Sequence, residues 1–237
     1  MVGFDADDTL WRSEDYFEAA QVEFERIVAP YVEAPGPGTM ERLHAIEGAN
    51  LAVFGYGVKG MALSMIEAAI AISGQRIAAR DLHRIVELAK DMLRHPVDLL
   101  PGVREAVEAV ASRHDVVLIT KGDLFHQEAK VRESGLSDVF RRIEIVSEKD
   151  AGTYARLFEE FGVPAGEFAM VGNSLRSDIA PVLRLGGWGV HVPYPLTWVH
   201  ERAADIDPSD RSRLREIAGA GAIPAAVQSI VLQASTA

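Results

Sequence analysis

Residues 2–9 read VGFDADDT, a short apolar run that leads directly into three aspartates and a threonine. An apolar run of this length before polar residues predicts a buried strand that ends at Asp5. In open parallel sheets, ligands bind where the strands end at their carboxyl side. The stretch therefore predicts that the first strand of a sheet delivers carboxylates to a binding edge.

After Pro101-Gly102 the chain alternates between strand-like and helix-like patterns. Continuous apolar runs predict strands at residues 116–119, 143–146, 168–171 and 189–192, with a weaker strand at 214–217. The segments between them have helical spacing, and a closing helix is predicted from about Pro224. Unbroken apolar strands that alternate with helices are typical of a parallel sheet covered on both faces. The predicted fold class is therefore α/β, a doubly wound parallel sheet.

Residues 13–95 interrupt this pattern. Their apolar positions recur every three or four residues, no convincing strand is present, and Pro35-Gly36-Pro37-Gly38 is expected to separate the first two helices. We predict a core of residues 1–12 and 96–237 with an inserted all-helical domain at 13–95.

Composition narrows the classes of function. The chain has 24 Lys and Arg against 35 Asp and Glu, a formal charge of −11, which disfavours binding to nucleic acid or to an anionic membrane. It has no cysteine, which excludes disulfides, thiolate zinc sites and cysteine nucleophiles and fits a reducing, cytoplasmic location. An acidic protein that handles phosphate needs local cations. Composition says nothing about the oligomeric state.

Polar residues follow four of the predicted strands. They are Asp5, Asp7 and Thr9 after the first strand, Thr120, Lys121 and Gly122 after the second, Lys149 after the third, and Asn173 and Asp178 after the fourth. Oxygen ligands without His or Cys favour Mg²⁺. Of two carboxyl groups two residues apart, Asp5 could attack as a nucleophile while Asp7, protonated, donates to the leaving oxygen. Thr120 and Lys149 could hold the transferring phosphoryl oxygens.

These residues, in this order, resemble the haloacid dehalogenase superfamily. Its first motif, D-x-D-x-T, corresponds to Asp5, Asp7 and Thr9, and its second, third and fourth motifs correspond to Thr120, Lys149 and Asp178. The resemblance extends from residue 2 to about residue 193. It implies a core of this superfamily with a C1-type helical cap at about residues 13–95, which closes over the site and selects the substrate.

The resemblance also implies a role for each matched residue. Asp5 would form an aspartyl-phosphate, and Asp7 would serve as general acid and then as base. Mg²⁺ would be held by the Asp5 carboxylate, the Asp7 carbonyl oxygen and Asp178. Thr120 and the amides of Lys121 and Gly122 would cradle the phosphoryl group that Lys149 neutralises, with Thr9 counted among the substrate-binding residues.

Asn173 departs from the pattern, because the fourth motif usually begins with Gly-Asp and here it is Gly172-Asn173. An amide keeps an oxygen ligand for the metal but removes a negative charge. Lys59, in a glycine-rich turn at residues 55–60, is either a substrate contact or a solvated turn residue. Trp11 could cover the substrate or pack in the core.

The expected activity is Mg²⁺-dependent hydrolysis of a small phosphorylated metabolite, whose identity the sequence does not specify. Two alternatives stay open. A mutase that transfers phosphate between sugar hydroxyls would keep both aspartates. A haloacid dehalogenase would use Asp5 but would need neither Asp7 nor a metal.

Overall fold

The computed structural model describes residues 1–32, 38–201 and 206–234. The chain divides into two compact units: one comprises Met1–Ser13, Val97–Lys121 and Gln127–Ala237, and the other comprises Glu14–Pro96 and Gly122–His126. The predicted break at Pro35-Gly36-Pro37 lies outside the described residues. The assignment of residues 13–95 to a substrate-selecting cap stays a prediction.

The first unit contains a parallel sheet. Its strands are β1 (Val2–Phe4), β2 (Val116–Lys121), β3 (Arg142–Val146), β4 (Ala169–Gly172), β5 (Trp188–His191) and β6 (Leu214–Glu216). Among the described residues they pair in the order β3-β2-β1-β4-β5-β6, and every pair is parallel. The predicted α/β fold class is confirmed, and each predicted strand is present to within one or two residues at its ends.

The second unit is helical. The helices that belong to it are α1 (Glu14–Val28), α2 (Thr39–Phe54), α3 (Val58–Ile72) and α4 (Ala79–Arg94). Their apolar faces share one core, which includes Phe24, Leu43, Met65 and Ile85. The described part of this unit contains no strand, as the sequence predicted.

The helices of the first unit cover both faces of the sheet. They are α5 (Val103–Ala111), most of α6 (Leu124–Ser134), α7 (Ala151–Phe161), α8 (Ala180–Arg184) and α9 (Ile223–Ala234). Alternate residues of a strand point to opposite faces. Leu118 accordingly packs in a cluster with Val107 and Val227, whereas its neighbour Ile119 packs with Leu157 and other residues of the opposite face.

The apolar pattern predicts a helix from Tyr154 to Phe161, and α7 begins three residues earlier, at Ala151. The Asp150 side chain accepts a hydrogen bond of 2.7 Å from the Thr153 amide and so caps the helix at this earlier start.

The strand order determines where a ligand can bind. Strand β1 lies between β2 and β4, with Phe4 beside Leu118 on one side and Val171 on the other. The chain crosses over in opposite directions from this point, which leaves a crevice at the carboxyl ends of the central strands. Asp5 lies at this crevice, and its amide donates to the Val171 carbonyl oxygen over 2.9 Å.

None of the helices within the described ranges combines the length and apolarity needed to cross a lipid bilayer.

Candidate active site

A buried lysine joins the ends of three strand–loop segments. The Lys149 ammonium group donates to Asp5 Oδ1 and, over 2.8 Å, to Asp178 Oδ1. Lys149 is 3 % exposed and Asp178 is 1 % exposed, so both charges are removed from solvent. The structure thus brings together the predicted residues of the first, third and fourth motifs.

The protonation of this triad follows from its charges. Burial, and then the neighbouring Asp178, raise the pKa of Asp5 to about 7, although Lys149 and Thr9 act in the opposite direction. Burial alone would lower the pKa of Lys149, but the carboxylates of Asp178 and Asp5 outweigh it and raise that pKa, so the lysine is charged. Two carboxylates share one ammonium group, and the buried set carries an excess of negative charge when all three are ionised.

Thr9 forms hydrogen bonds with both Asp5 and Asn173. Its buried hydroxyl is within donating distance of two oxygens, Asp5 Oδ2 at 2.8 Å and Asn173 Oδ1 at 3.3 Å. It also accepts from the Asn173 amide N–H over 3.0 Å. The structure therefore shows Thr9 as a link between Asp5 and Asn173, a contact that the sequence did not indicate for either residue.

Asp7 is held by three side chains that the sequence did not indicate as its partners. Trp11 Nε1 and Lys130 Nζ donate to Oδ1 over 2.6 and 2.5 Å, and Gln127 Nε2 donates to Oδ2 over 2.8 Å. Burial alone would raise the pKa of Asp7, but Lys130 first, and then Gln127 and Trp11, outweigh it and lower that pKa. Trp11 is 1 % exposed and packs in the core, which answers the question left open by the sequence.

Gly172 and a π-helical turn place Asp178. Leu175–Ile179 form a π-helix, a geometry that often marks functional sites. The turn brings the Asp178 carboxyl group against the backbone of Gly172, where a β-carbon would overlap it. The Ser174 amide donates to Asp178 Oδ2 over 3.0 Å and holds it there.

The remaining predicted residues occupy two places. Thr120 is buried near the end of β2, beside Ile145 of β3, and Lys121 follows it. Lys59 and Gly122 belong to the helical unit, where Lys59 Nζ lies 2.9 Å from Asp123 Oδ1 and 5.4 Å from the centre of the Phe125 ring. Lys59 therefore lies in the first turn of α3 and forms an ion pair with Asp123, with 52% of its side chain exposed, and its contact with substrate stays a prediction.

The donor set of the crevice fits Mg²⁺. Within the described ranges, no group of three or more His, Cys, Asp or Glu side chains is arranged to hold a metal. Mg²⁺ does not need such a group, because it is commonly bound by one or two carboxylates together with waters and substrate phosphate. Asp5 and Asp178 supply two carboxylates whose charge exceeds that of Lys149, which suits a divalent cation.

Comparison with known proteins supports a family assignment. A family profile described as haloacid dehalogenase-like hydrolase matches residues 1–186. The chain is similar to a haloacid dehalogenase-like family hydrolase from Xanthomonas campestris, with 52% identity, a TM-score of 0.88 and coverage of 99% of this chain and 93% of that one. Among curated proteins, none is significantly similar in sequence.

More distant solved structures share the fold. A 2-haloacid dehalogenase from Pseudomonas syringae is 20% identical, with a TM-score of 0.61 and coverage of 96% of this chain and 97% of that one. A predicted phosphoglycolate phosphatase from Haemophilus somnus is 16% identical, with a TM-score of 0.62 and the same two coverages. These two structures share the fold under names that denote different chemistries, so activity has to be argued from the site.

Substituting Gly172 should displace Asp178 and so disturb the site. In Gly172→Ala the new methyl group displaces the Asp178 carboxyl group, and a shift of about 1 Å can cost about 10²-fold in rate. Gly166→Ala is the matched control, because nothing lies within 4 Å of its added carbon. The measurements are kcat and Tm for both variants. Wild-type kcat in Gly172→Ala would contradict the placement of Asp178.

Asp5→Asn should stabilise the metal-free protein in a pH-dependent way. The folded protein holds an extra proton on Asp5 between its ordinary pKa of 3.8 and about 7, so wild-type stability falls as pH rises through that window. An amide avoids this loss, since it can accept from Lys149 and donate to the Thr9 hydroxyl, which then donates to Asn173.

The check is Tm in EDTA at pH 5 and pH 8, where each kcal/mol gained corresponds to about 2–4 °C. The advantage of Asp5→Asn over wild type should be larger at pH 8. An equal or smaller advantage at pH 8 would show that Asp5 ionises in the fold without cost.

Proposed function

The chain belongs to the haloacid dehalogenase-like hydrolase family, and on that premise we propose that it is a Mg²⁺-dependent hydrolase of small phosphate monoesters. The observation that carries the proposal is the buried set of two carboxylates and one lysine, accompanied by a second aspartate two residues after the first. Its excess negative charge favours a divalent cation, and a cation makes the site attractive to phosphate.

Asp5 acts first. One of its carboxylate oxygens forms a bond to phosphorus while the bond from phosphorus to the ester oxygen breaks. The leaving oxygen takes a proton from Asp7, and the product is an alcohol and an aspartyl-phosphate on Asp5. Thr9 orients the attacking carboxylate through its hydrogen bond of 2.8 Å, and Lys149 offsets part of the charge of the incoming phosphoryl group.

Water then releases the phosphate. Its oxygen bonds to phosphorus, its proton passes to Asp7, and the bond from phosphorus to Asp5 breaks, which regenerates the carboxylate. The pairing of Asp7 with Lys130, which lowers the pKa of Asp7, favours the ionised form that accepts this proton. For the first step Asp7 must be protonated, and the negative charge of a bound phosphate favours that uptake.

The metal would be held by residues of this chain at the crevice. We propose Asp5, Asp178, the main-chain oxygen of Asp7 and the side-chain oxygen of Asn173 as its ligands or hydrogen-bonded neighbours. When bound, Mg²⁺ would neutralise phosphate oxygens and help to position the ester. A cytoplasmic location and substrate contact by Lys59, Lys121 and Thr120 stay predictions.

The proposal predicts Mg²⁺-dependent hydrolysis of p-nitrophenyl phosphate that stops in EDTA. Asp5→Asn should abolish turnover, because an amide does not attack phosphorus. Asp7→Asn should still bind phosphate but lose about 10²–10⁴-fold in kcat, the usual contribution of acid–base assistance. Release of p-nitrophenol measures the effect of EDTA and the kcat of both variants, and its dependence on substrate concentration shows whether Asp7→Asn still binds the phosphate ester.

Full activity of the chelated enzyme would contradict the proposed function, and so would full activity of Asp5→Asn freed of contaminating phosphatase. Release of halide from 2-chloropropionate without release of phosphate from any ester would also contradict it and would indicate the dehalogenase alternative. Interconversion of sugar phosphates faster than their hydrolysis would indicate the mutase alternative.

Asn173→Asp should strengthen metal binding. The Asn173 side chain accepts from the Thr9 hydroxyl that also contacts Asp5, so a carboxylate there adds negative charge near the proposed metal site. Changes next to metal ligands typically alter affinity by about 10–100-fold. The Mg²⁺ concentration for half-maximal activity at saturating substrate should therefore fall. An unchanged half-saturation point would count against a place for Asn173 near the metal.

A further inference from the structure

Glu201 lies in the C-terminal region, the part of the chain after β5, to which the sequence analysis assigned no functional role. Its side chain contacts the loop of the fourth motif, which contains Ser174, Ser177 and Asp178. Glu201 ends a short 3-10 helix, Val199–Glu201, and its side chain is 13% exposed. Its carboxylate accepts hydrogen bonds from Ser174 Oγ over 2.5 Å, from Ser177 Oγ over 2.7 and 2.9 Å, and from Lys121 Nζ over 2.5 Å. A partly buried carboxylate with three donors is held in one orientation.

The two serines connect Glu201 to Asp178. The Ser174 hydroxyl accepts from the Ser177 amide over 3.0 Å and caps the π-helical turn, while the Ser174 amide donates to Asp178 Oδ2 over 3.0 Å. Ser174 therefore touches Glu201 with its side chain and Asp178 with its main chain. A change at Glu201 is transmitted to the proposed metal ligand through a single residue.

Charge forms a second link. Lys121 Nζ lies 2.5 Å from Glu201, 2.9 Å from Ser177 Oγ and 3.4 Å from Glu148. Burial alone would raise the pKa of Glu201, but Lys121 first, and then Ser174 and Ser177, outweigh it and lower that pKa. Ionised Glu201 thus compensates an ammonium group beside the residue that precedes Asp178. Without that compensation the ammonium group would oppose a cation bound nearby.

We propose that Glu201 is a positioning residue for the metal site, one that fixes the loop carrying Asp178 and neutralises Lys121 next to it. This inference rests on the proposed function, since it assumes that Asp178 binds Mg²⁺. On this proposal the C-terminal region contributes a residue that positions the metal site.

The attachment of the C-terminal segment does not depend on Glu201 alone. Arg176 donates from its guanidinium group to the His200 carbonyl oxygen, a contact that uses the main chain of the segment. A substitution at Glu201 leaves this contact available. Loss of Mg²⁺ affinity in such a variant would therefore report on the serines and Lys121 more than on detachment of the segment.

The test is Mg²⁺ binding by isothermal titration calorimetry on full-length protein without substrate, with Glu201→Ala and the nearly isosteric Glu201→Gln. Glu201→Ala should raise the Kd for Mg²⁺ by about 10–100-fold, the usual effect of removing an outer partner of a metal ligand. Glu201→Gln keeps an acceptor for the serines but loses the charge, so its Kd should fall between those of Glu201→Ala and wild type. In turnover assays, half-saturating Mg²⁺ should rise more than KM for p-nitrophenyl phosphate.

Asp210→Ala is the matched control. It removes another carboxylate of the C-terminal region, one paired with Arg213 over 2.5 Å and bonded to none of Lys121, Ser174 and Ser177. Its Kd for Mg²⁺ should match wild type, and a loss as large as that of Glu201→Ala would overturn the proposal.

Wild-type Mg²⁺ affinity in Glu201→Ala would also overturn it. If Glu201→Ala does not fold, Glu201→Gln decides, with weaker binding in favour and unchanged binding against. A wild-type protein that binds no Mg²⁺ and cleaves no phosphate ester refutes the proposed function itself. A wild-type protein that does both, with an unaffected Glu201→Ala, refutes only the role of Glu201.

Discussion

The ion pairs of Lys149 with Asp5 and Asp178 are the constraint on which the site depends. A buried ion left without its partner typically destabilises a fold by about 3–5 kcal/mol, so these three residues have to meet. They are far apart in the chain and follow β3, β1 and β4. They meet because β1 and β4 are neighbours in the sheet and the segment after β3 returns to the same edge.

The local backbone structure around these ion pairs also helps to place the charged groups. Gly172 lets the Asp178 carboxyl group approach the backbone, and a π-helical turn presents it there. Asp8 has a φ of +61°, an uncommon value for a residue other than glycine, and its carboxylate accepts from the Ser13 amide over 2.8 Å, which closes the loop after Asp5. Such backbone outliers cluster at functional sites, where the surrounding structure enforces them.

Much of the architecture could be predicted from the sequence because its signals are local. An apolar run such as Val116 to Ile119 has to be buried on both sides. The D-x-D-x-T motif can be recognised within five consecutive residues. The partners of Asp7 could not be predicted in this way. Gln127 and Lys130 are three residues apart and share a helix face, yet nothing local says that this face meets Asp7, 120 and 123 residues earlier. Glu201 was missed for the same reason.

The sequence by itself determined the order of strands and helices, the residues that follow the strand ends and the family to which the chain belongs. These properties reside in hydrophobic periodicity and short motifs, which a linear chain displays. Only the tertiary structure decided the charge state of the site. The pKa of a carboxyl group depends on its burial and on its neighbours. The pKa values of Asp5 and Asp7 are therefore shifted in opposite directions, although the two residues are chemically identical and only two positions apart. Lys149 and Asp178 are the charged neighbours of Asp5, whereas Lys130 and Gln127 contact Asp7. These neighbours come together only once the sheet has formed.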